Sequence, residues 1–123
     1  MQHYSSALNI LKNTDNKNDL AHCNVCIGEV YAETGHLDSA QININKAIDL
    51  FTALGRKAYP WGLAFSYSIT AKMQLKRGDL SAKRKEEAQA SMYFKEALAY
   101  FIKAQKLLRT QYSRTMGDMA DID

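Results

Sequence analysis

Residues 28–47 read GEVYAETGHLDSAQININKA. Gly28, Tyr31, Leu37, Ala40, Ile44 and Ala47 recur at intervals of three and four on either side of Gly35. That is the period of a helix, not of a strand. Gly35 sits where the first run stops, and glycine is the residue that ends helices most readily. The stretch predicts a helix that ends before Gly35, a tight turn, and a second helix from about Asp38 to Leu54, with Gly55 following. Small residues at Gly28, Ala40 and Ala47 let the paired helices approach closely, and larger residues fill the space between them.

Working outward, the same period runs along the whole chain and alternation of period two is hard to find. Five helical segments are predicted. The first covers Tyr4 to Lys12 and ends in the polar turn Asn13–Asn18. The second runs from Asp19 to the residue before Gly35, and the third from Asp38 to Leu54. The fourth starts at Pro60, since proline suits a first helical turn, and stops before Gly78. The fifth occupies much of Ser81 to Met116, with Gly117 as its stop. This gives one helical domain over residues 1–117 and an acidic, flexible tail over 118–123.

The segments repeat one another. Ile27, Gly28, Gly35 and Leu37 superpose on Thr70, Ala71, Gly78 and Leu80 at an offset of 43. Ala40, Ile44, Ala47 and Leu50 superpose on Ala97, Phe101, Ala104 and Leu107 at an offset of 57. The difference of 14 residues is close to four helical turns, so Ser81–Ser91 reads as extra helix, with a surface loop as the alternative. Tyr4, Ala7 and Leu11 match Leu37, Ala40 and Ile44 at an offset of 33.

At these residues the sequence resembles the tetratricopeptide repeat family. Gly28, Tyr31, Gly35, Leu37, Ala40, Ile44 and Ala47 match the family pattern in full. Ala71, Gly78, Leu80, Ala97, Phe101 and Ala104 form a second copy in which Gln74 replaces the aromatic. Asn24 stands where the family carries tryptophan, and Thr52 where it carries proline. The spacing of the second copy is similar to the longer repeat of kinesin light chains and bacterial signalling proteins. The resemblance implies an all-α fold: a short, right-handed solenoid of antiparallel helix pairs, about two and a half repeats long. It also implies a concave groove that holds peptides, lined by the second and fourth segments. The matching positions are His22, Val25, Glu29 and Glu33 on one, and Phe65, Ser68, Lys72 and Lys76 on the other, with Trp61 one turn earlier. Members that grip a carboxylate terminus do so with lysine and asparagine where Val25 and Glu29 stand, so that clamp is not expected here.

Composition narrows the function. The 123 residues suit one domain, and a chain of this size buries a proper core. Apolar residues at 46% and charged residues at 24% exclude a disordered chain. One proline and six glycines are too few for a many-stranded β fold. No basic start followed by an apolar core marks a signal peptide, and the longest apolar run, Ala97–Ile102, is far below the roughly 18 residues of a membrane span. The cytoplasm is the expected compartment, with no membrane partner.

Candidate chemistry is sparse. His22, Cys23 and Cys26 form H-C-x-x-C, but a redox motif needs a preceding strand and a zinc site four ligands. Only His36 could join them, from a turn at the far end of the same helix. The cysteines read as small apolar residues on a helix flank. There is no G-x-S-x-G and no phosphate-binding glycine loop, and His3, His22 and His36 are scattered. Neither catalysis, a cofactor nor a metal is expected.

Two surfaces remain. Arg84, Lys85, Lys95, Lys103, Lys106, Arg109 and Arg114 fall on one side of the fifth segment, opposite Phe94, Ala97, Leu98, Phe101, Ala104 and Leu108. They read as a solvated face softened by Glu86, Glu87 and Glu96; an anion- or nucleic-acid-binding stripe is the rival reading. In the groove, Glu29 and Glu33 stand opposite Lys72 and Lys76 and read either as cross-helix pairs or as ligand contacts, beside the aromatic anchors Trp61 and Phe65. The expected function is that of a protein- or peptide-binding adaptor or sensory module. Tyr93, Tyr100 and Leu107 flank Phe94, Phe101 and Leu108 in an arc wider than one neighbour needs. That arc, with Ala7 and Leu11 at the other end, predicts an open edge covered by a homodimer partner, a heteromeric partner or more solenoid, with the long fifth segment folding back over the gap as the alternative.

Overall fold

The computed structural model describes residues 16–120, with side chains through residue 110. The segment expected at Tyr4–Lys12, with Ala7, Leu11 and His3, lies outside the described residues, as do residues 121–123. The rest is all-helical: α1 Lys17–Glu33, α2 Leu37–Leu54, α3 Gly62–Lys83 and α4 Glu87–Ala120, with a single 3-10 turn at Gly55–Lys57. α1 and α2 form one antiparallel hairpin, and α3 and α4 a second. α3 packs against all three other helices, whereas α2 and α4 do not touch.

Each helix end has a local cause. The Asn16 side chain accepts from the Asp19 amide and caps α1. At its other end the His36 amide donates to the Tyr31 carbonyl at 2.8 Å, a closure that needs Gly35 at φ +84°. Gly55, at φ +56°, closes α2 through bonds to the Phe51 and Thr52 carbonyls. α3 begins two residues after Pro60.

The second hairpin departs from expectation. α3 runs straight through Gly78 to Lys83, and the turn falls at residues 84–86. There the Glu86 amide donates to the Ser81 carbonyl at 2.9 Å, and Lys85 takes the left-handed conformation at φ 61°. His36 to Tyr31 and Glu86 to Ser81 are therefore the same bond, fifty positions apart. The repeat is 50 residues with no insertion, in place of offsets of 43 and 57. Ser81–Ser91 is neither continuous helix nor a long loop: Ser81–Lys83 ends α3 and Glu87 begins α4. α4 also continues past Gly117 to Ala120.

With this phase, glycines and large side chains pair in register. A Cβ on Gly28 would lie 2.7 Å from Ile44 Cδ1, and one on Gly78 2.5 Å from Phe94 Cε1. Gly62 meets Phe51 in the same way, at 2.6 Å. Gly78 is thus a packing glycine equivalent to Gly28, not a turn residue. Ala40 and Ala47 have Ala90 and Ala97 as counterparts, all buried. Leu80 and Phe101, expected to pack, are exposed, while Ala71 and Ala104 are buried as expected. The core joins Ala21, Val25, Ile44, Phe51, Ile69 and Met73, with Tyr31 and Leu37 against its rim.

Two stability outcomes follow from this geometry. Gly28→Leu should cost about 3 kcal/mol or more, because buried Ile44 cannot move aside. Gly78→Leu should cost less, because Phe94 opens toward solvent; equal falls in melting temperature would contradict this asymmetry. Lys85→Gly should stabilise by about 0.5–1 kcal/mol in urea unfolding, since glycine removes the Cβ strain of the left-handed turn.

Candidate functional site

The candidate site is built on the connection between α2 and α3. Asn18 on α1 grips that connection twice: its Nδ2 donates to the Lys57 carbonyl at 2.9 Å and its Oδ1 accepts from the Tyr59 amide at 2.8 Å. The Tyr59 hydroxyl donates to Asp19 Oδ1 at 2.7 Å. That bond, with burial and the Asp19 charge, pushes the Tyr59 hydroxyl pKa up. The connection is therefore pinned at three points, and its rings are held in place.

Trp61 is at the centre. It stacks on Tyr59 with centroids 5.3 Å apart and planes 24° apart. It meets His22 edge-on at 5.1 Å, Phe51 at 6.3 Å and Phe65 at 6.4 Å. Despite four ring neighbours it remains 40% exposed. Aromatic edges of this kind contribute about 0.5–1.5 kcal/mol each beyond burial, so the indole is oriented and still accessible.

The expected groove residues then separate. His22, Trp61 and Phe65 come together as one aromatic end. Along α1 the face continues through Glu29, half-buried, and Glu33, exposed; along α3 it continues through Ser68, half-buried, and Lys72, exposed. Ser68 Oγ donates back to the Ala64 carbonyl at 2.9 Å. Val25 does not belong to the face: it is fully buried, because α3 covers it. The cross-helix pairs do not form either. Lys76 Nζ donates to the Ala32 carbonyl at 2.6 Å, where the negative end of the α1 dipole draws the ammonium, instead of meeting Glu33. Among the described residues the only ion pair is Arg77 with Asp38, at 3.8 Å.

Sequence reasoning missed Asn18, Tyr59 and Arg77. Arg77 joins α3 to α2: its guanidinium donates to Gln74 Oε1 at 2.6 Å, Gln41 Oε1 at 3.3 Å and the Leu37 carbonyl at 3.4 Å. Gln74, buried, donates in turn to Glu96 on α4. A phase of 50 would have exposed the signal, since Gln74 then falls on Asn24, which is also buried and donates to the Leu20 carbonyl at 3.1 Å.

The remaining candidates lie apart. Cys26 Sγ is 3.7 Å from His22 Nε2, and both cysteines are free. Burial pushes both thiols up, helped by the Asp19 charge at Cys23 and by Cys23 and Glu29 at Cys26. Among the described residues no three His, Cys, Asp or Glu side chains converge on a metal position. His36 precedes α2, with its ring 6.0 Å from that of Tyr31. Arg84 and Lys85 lie in the turn rather than on α4. Lys103 sits 4.4 Å over the Tyr67 ring, which stacks on Tyr100, while Lys95, Lys106 and Arg109 are exposed. Arg114 lies beyond the described side chains. Among the described residues no helix is long and apolar enough to cross a membrane. Comparison with known proteins found no matching family, no matching characterised relative and no matching solved structure.

The raised thiols carry a measurable consequence. Cys23 and Cys26 should be alkylated by iodoacetamide at pH 7.5 more slowly than free cysteine, because less thiolate is present. The rate should rise with pH and on unfolding in urea; a native rate equal to that of free cysteine would contradict the burial.

Proposed function

We propose that the chain is a non-catalytic protein- and peptide-binding module, an adaptor or sensory element of tetratricopeptide-like, right-handed solenoid architecture. Its ligand lies along the concave face shared by α1 and α3. The observation that carries this reading is Trp61, an indole clamped by Tyr59, His22 and Phe65 that still offers two-fifths of its surface. A rigid, partly exposed aromatic loses little side-chain freedom on binding, which is why such residues dominate binding energies. The charged end of the face, Glu29 and Glu33 across from Lys72, supplies orientation for an extended segment whose apolar side chain rests on Trp61.

Peptides selected from a random display library on the intact chain test this. Trp61→Ala should weaken the selected peptides by about 30-fold or more, the scale of a 2 kcal/mol hot spot. Phe65→Ala should weaken them less. Binding indifferent to both changes, steeply salt-dependent and lost on replacing Lys106 and Arg109, would transfer the activity to the basic side of α4.

A further inference from the structure

Most of the first hairpin's inner surface is buried by α3. Val25, Ile44 and Phe51 are wholly inaccessible, and Ile48 packs against the same cluster. Gly62 seats α3 on the Phe51 ring, Ile69 and Met73 fill the core beside it, and Arg77 reaches Gln41 and the Leu37 carbonyl. Fifty positions on, the second hairpin rebuilds this surface. The counterparts of Val25, Ile44, Ile48 and Phe51 are Leu75, Phe94, Leu98 and Phe101. They are 39%, 38%, 60% and 37% exposed. Beside Phe94 and Leu98 lies a groove of about 580 Å³. Its walls include Ala82, Ala90, Ser91, Phe94 and Leu98, the counterparts of Ala32, Ala40, Gln41, Ile44 and Ile48. The seat that α3 occupies on the first hairpin is thus present on the second, and no described residue fills it.

We infer that this seat takes one amphipathic helix of a partner polypeptide, with the chemistry of α3. That helix carries glycine or another small residue over Phe101, as Gly62 lies over Phe51. Apolar residues follow seven and eleven positions later, as Ile69 and Met73 do, and an arginine fifteen later, as Arg77 does. Ala88 stands where Asp38 pairs with Arg77, and Glu87, which lines the groove in place of Leu37, supplies the nearby carboxylate instead, with Glu86 exposed beside it and Lys95 further along the same lining. A second copy of this chain is a poorer occupant. The face of its α3 that would enter the seat, with Gly62, Ile69 and Met73, is already buried on its own first hairpin, and its α4 presents Phe94, Leu98 and Phe101, bulky side chains where the seat requires a glycine. This surface is separate from the groove beside Trp61, so the two proposals stand or fall independently.

The test uses the intact chain and a fluorescent synthetic peptide with the sequence of residues 59–84, followed by anisotropy. Saturable one-to-one binding is expected. It should weaken at least tenfold for Leu98→Asp and for Phe101→Asp, whose exposed positions leave circular dichroism unchanged. A peptide carrying Gly62→Leu should not bind, and Trp61→Ala in the intact chain should leave binding intact. Absence of saturable binding, or binding indifferent to Leu98→Asp and Phe101→Asp, would overturn the proposal. A dimer in light scattering that Leu98→Asp dissociates, with no peptide bound, would overturn it in favour of a second copy.

Discussion

Helices can interlock only as closely as their smallest facing residues allow, and here three glycines set that distance. Gly28 receives Ile44, Gly62 receives Phe51 and Gly78 receives Phe94. The first and third hold the two hairpins together, and the second stacks one hairpin on the other. Each large side chain lies where a Cβ would stand. The backbones therefore approach closely enough for alanines to serve as the remaining contacts: Ala40 and Ala47 on α2, Ala90, Ala97 and Ala104 on α4. The close approach also brings α3 within reach of α1, so that Lys76 can cap the Ala32 carbonyl.

That closeness controls the candidate site as well. Once Gly62 rests on Phe51, the preceding residue, Trp61, must emerge at the edge of the same contact. Asn18 then acts as a surrogate backbone partner for the connection, bonding one carbonyl and one amide two residues apart. Tyr59 is held by Asp19 below and stacks on the indole above. The pinned connection holds the indole and the Tyr59 ring in one orientation.

The first hairpin was legible in residues 28–47, because Gly35 is both a turn residue and the partner of a clear helical period on each side. That the rings of His22, Trp61 and Phe65 meet follows from positions matched at an offset of 43, which differs from 50 by about two helical turns and so keeps the same face. The second hairpin was misread because two signals exchanged roles. Gly78 looks like a stop, yet it serves as a packing glycine, and the turn falls on Lys85, whose left-handed backbone leaves no mark in the residue type. Misphasing then placed Leu80 and Phe101 in the interior. Val25 failed differently: its helical face was right in register, but the crossing of α3 over α1 buries it. Asn18, Tyr59 and Arg77 depend on contacts about forty residues away in sequence, which no local pattern records.

The bonds of Arg77 and Gln74 add a polar link between the two hairpins. In a stack whose neighbours meet only through apolar faces, a terminal unit can open while the rest stays folded. Here α2 and α4 do not touch, yet Leu37 and Gln41 connect through Arg77 and Gln74 to Glu96. If α4 lifts away, Gln74 exchanges the Glu96 carboxylate for water and Phe94 leaves its place against Gly78, while Arg77 keeps Gln74 on its own helix and Gln41 and Leu37 on α2. Departure of the last helix therefore breaks a charged hydrogen bond, worth about 1.5–3 kcal/mol, as well as an apolar contact. The terminal helix is tied to the stack by more than its alanine face.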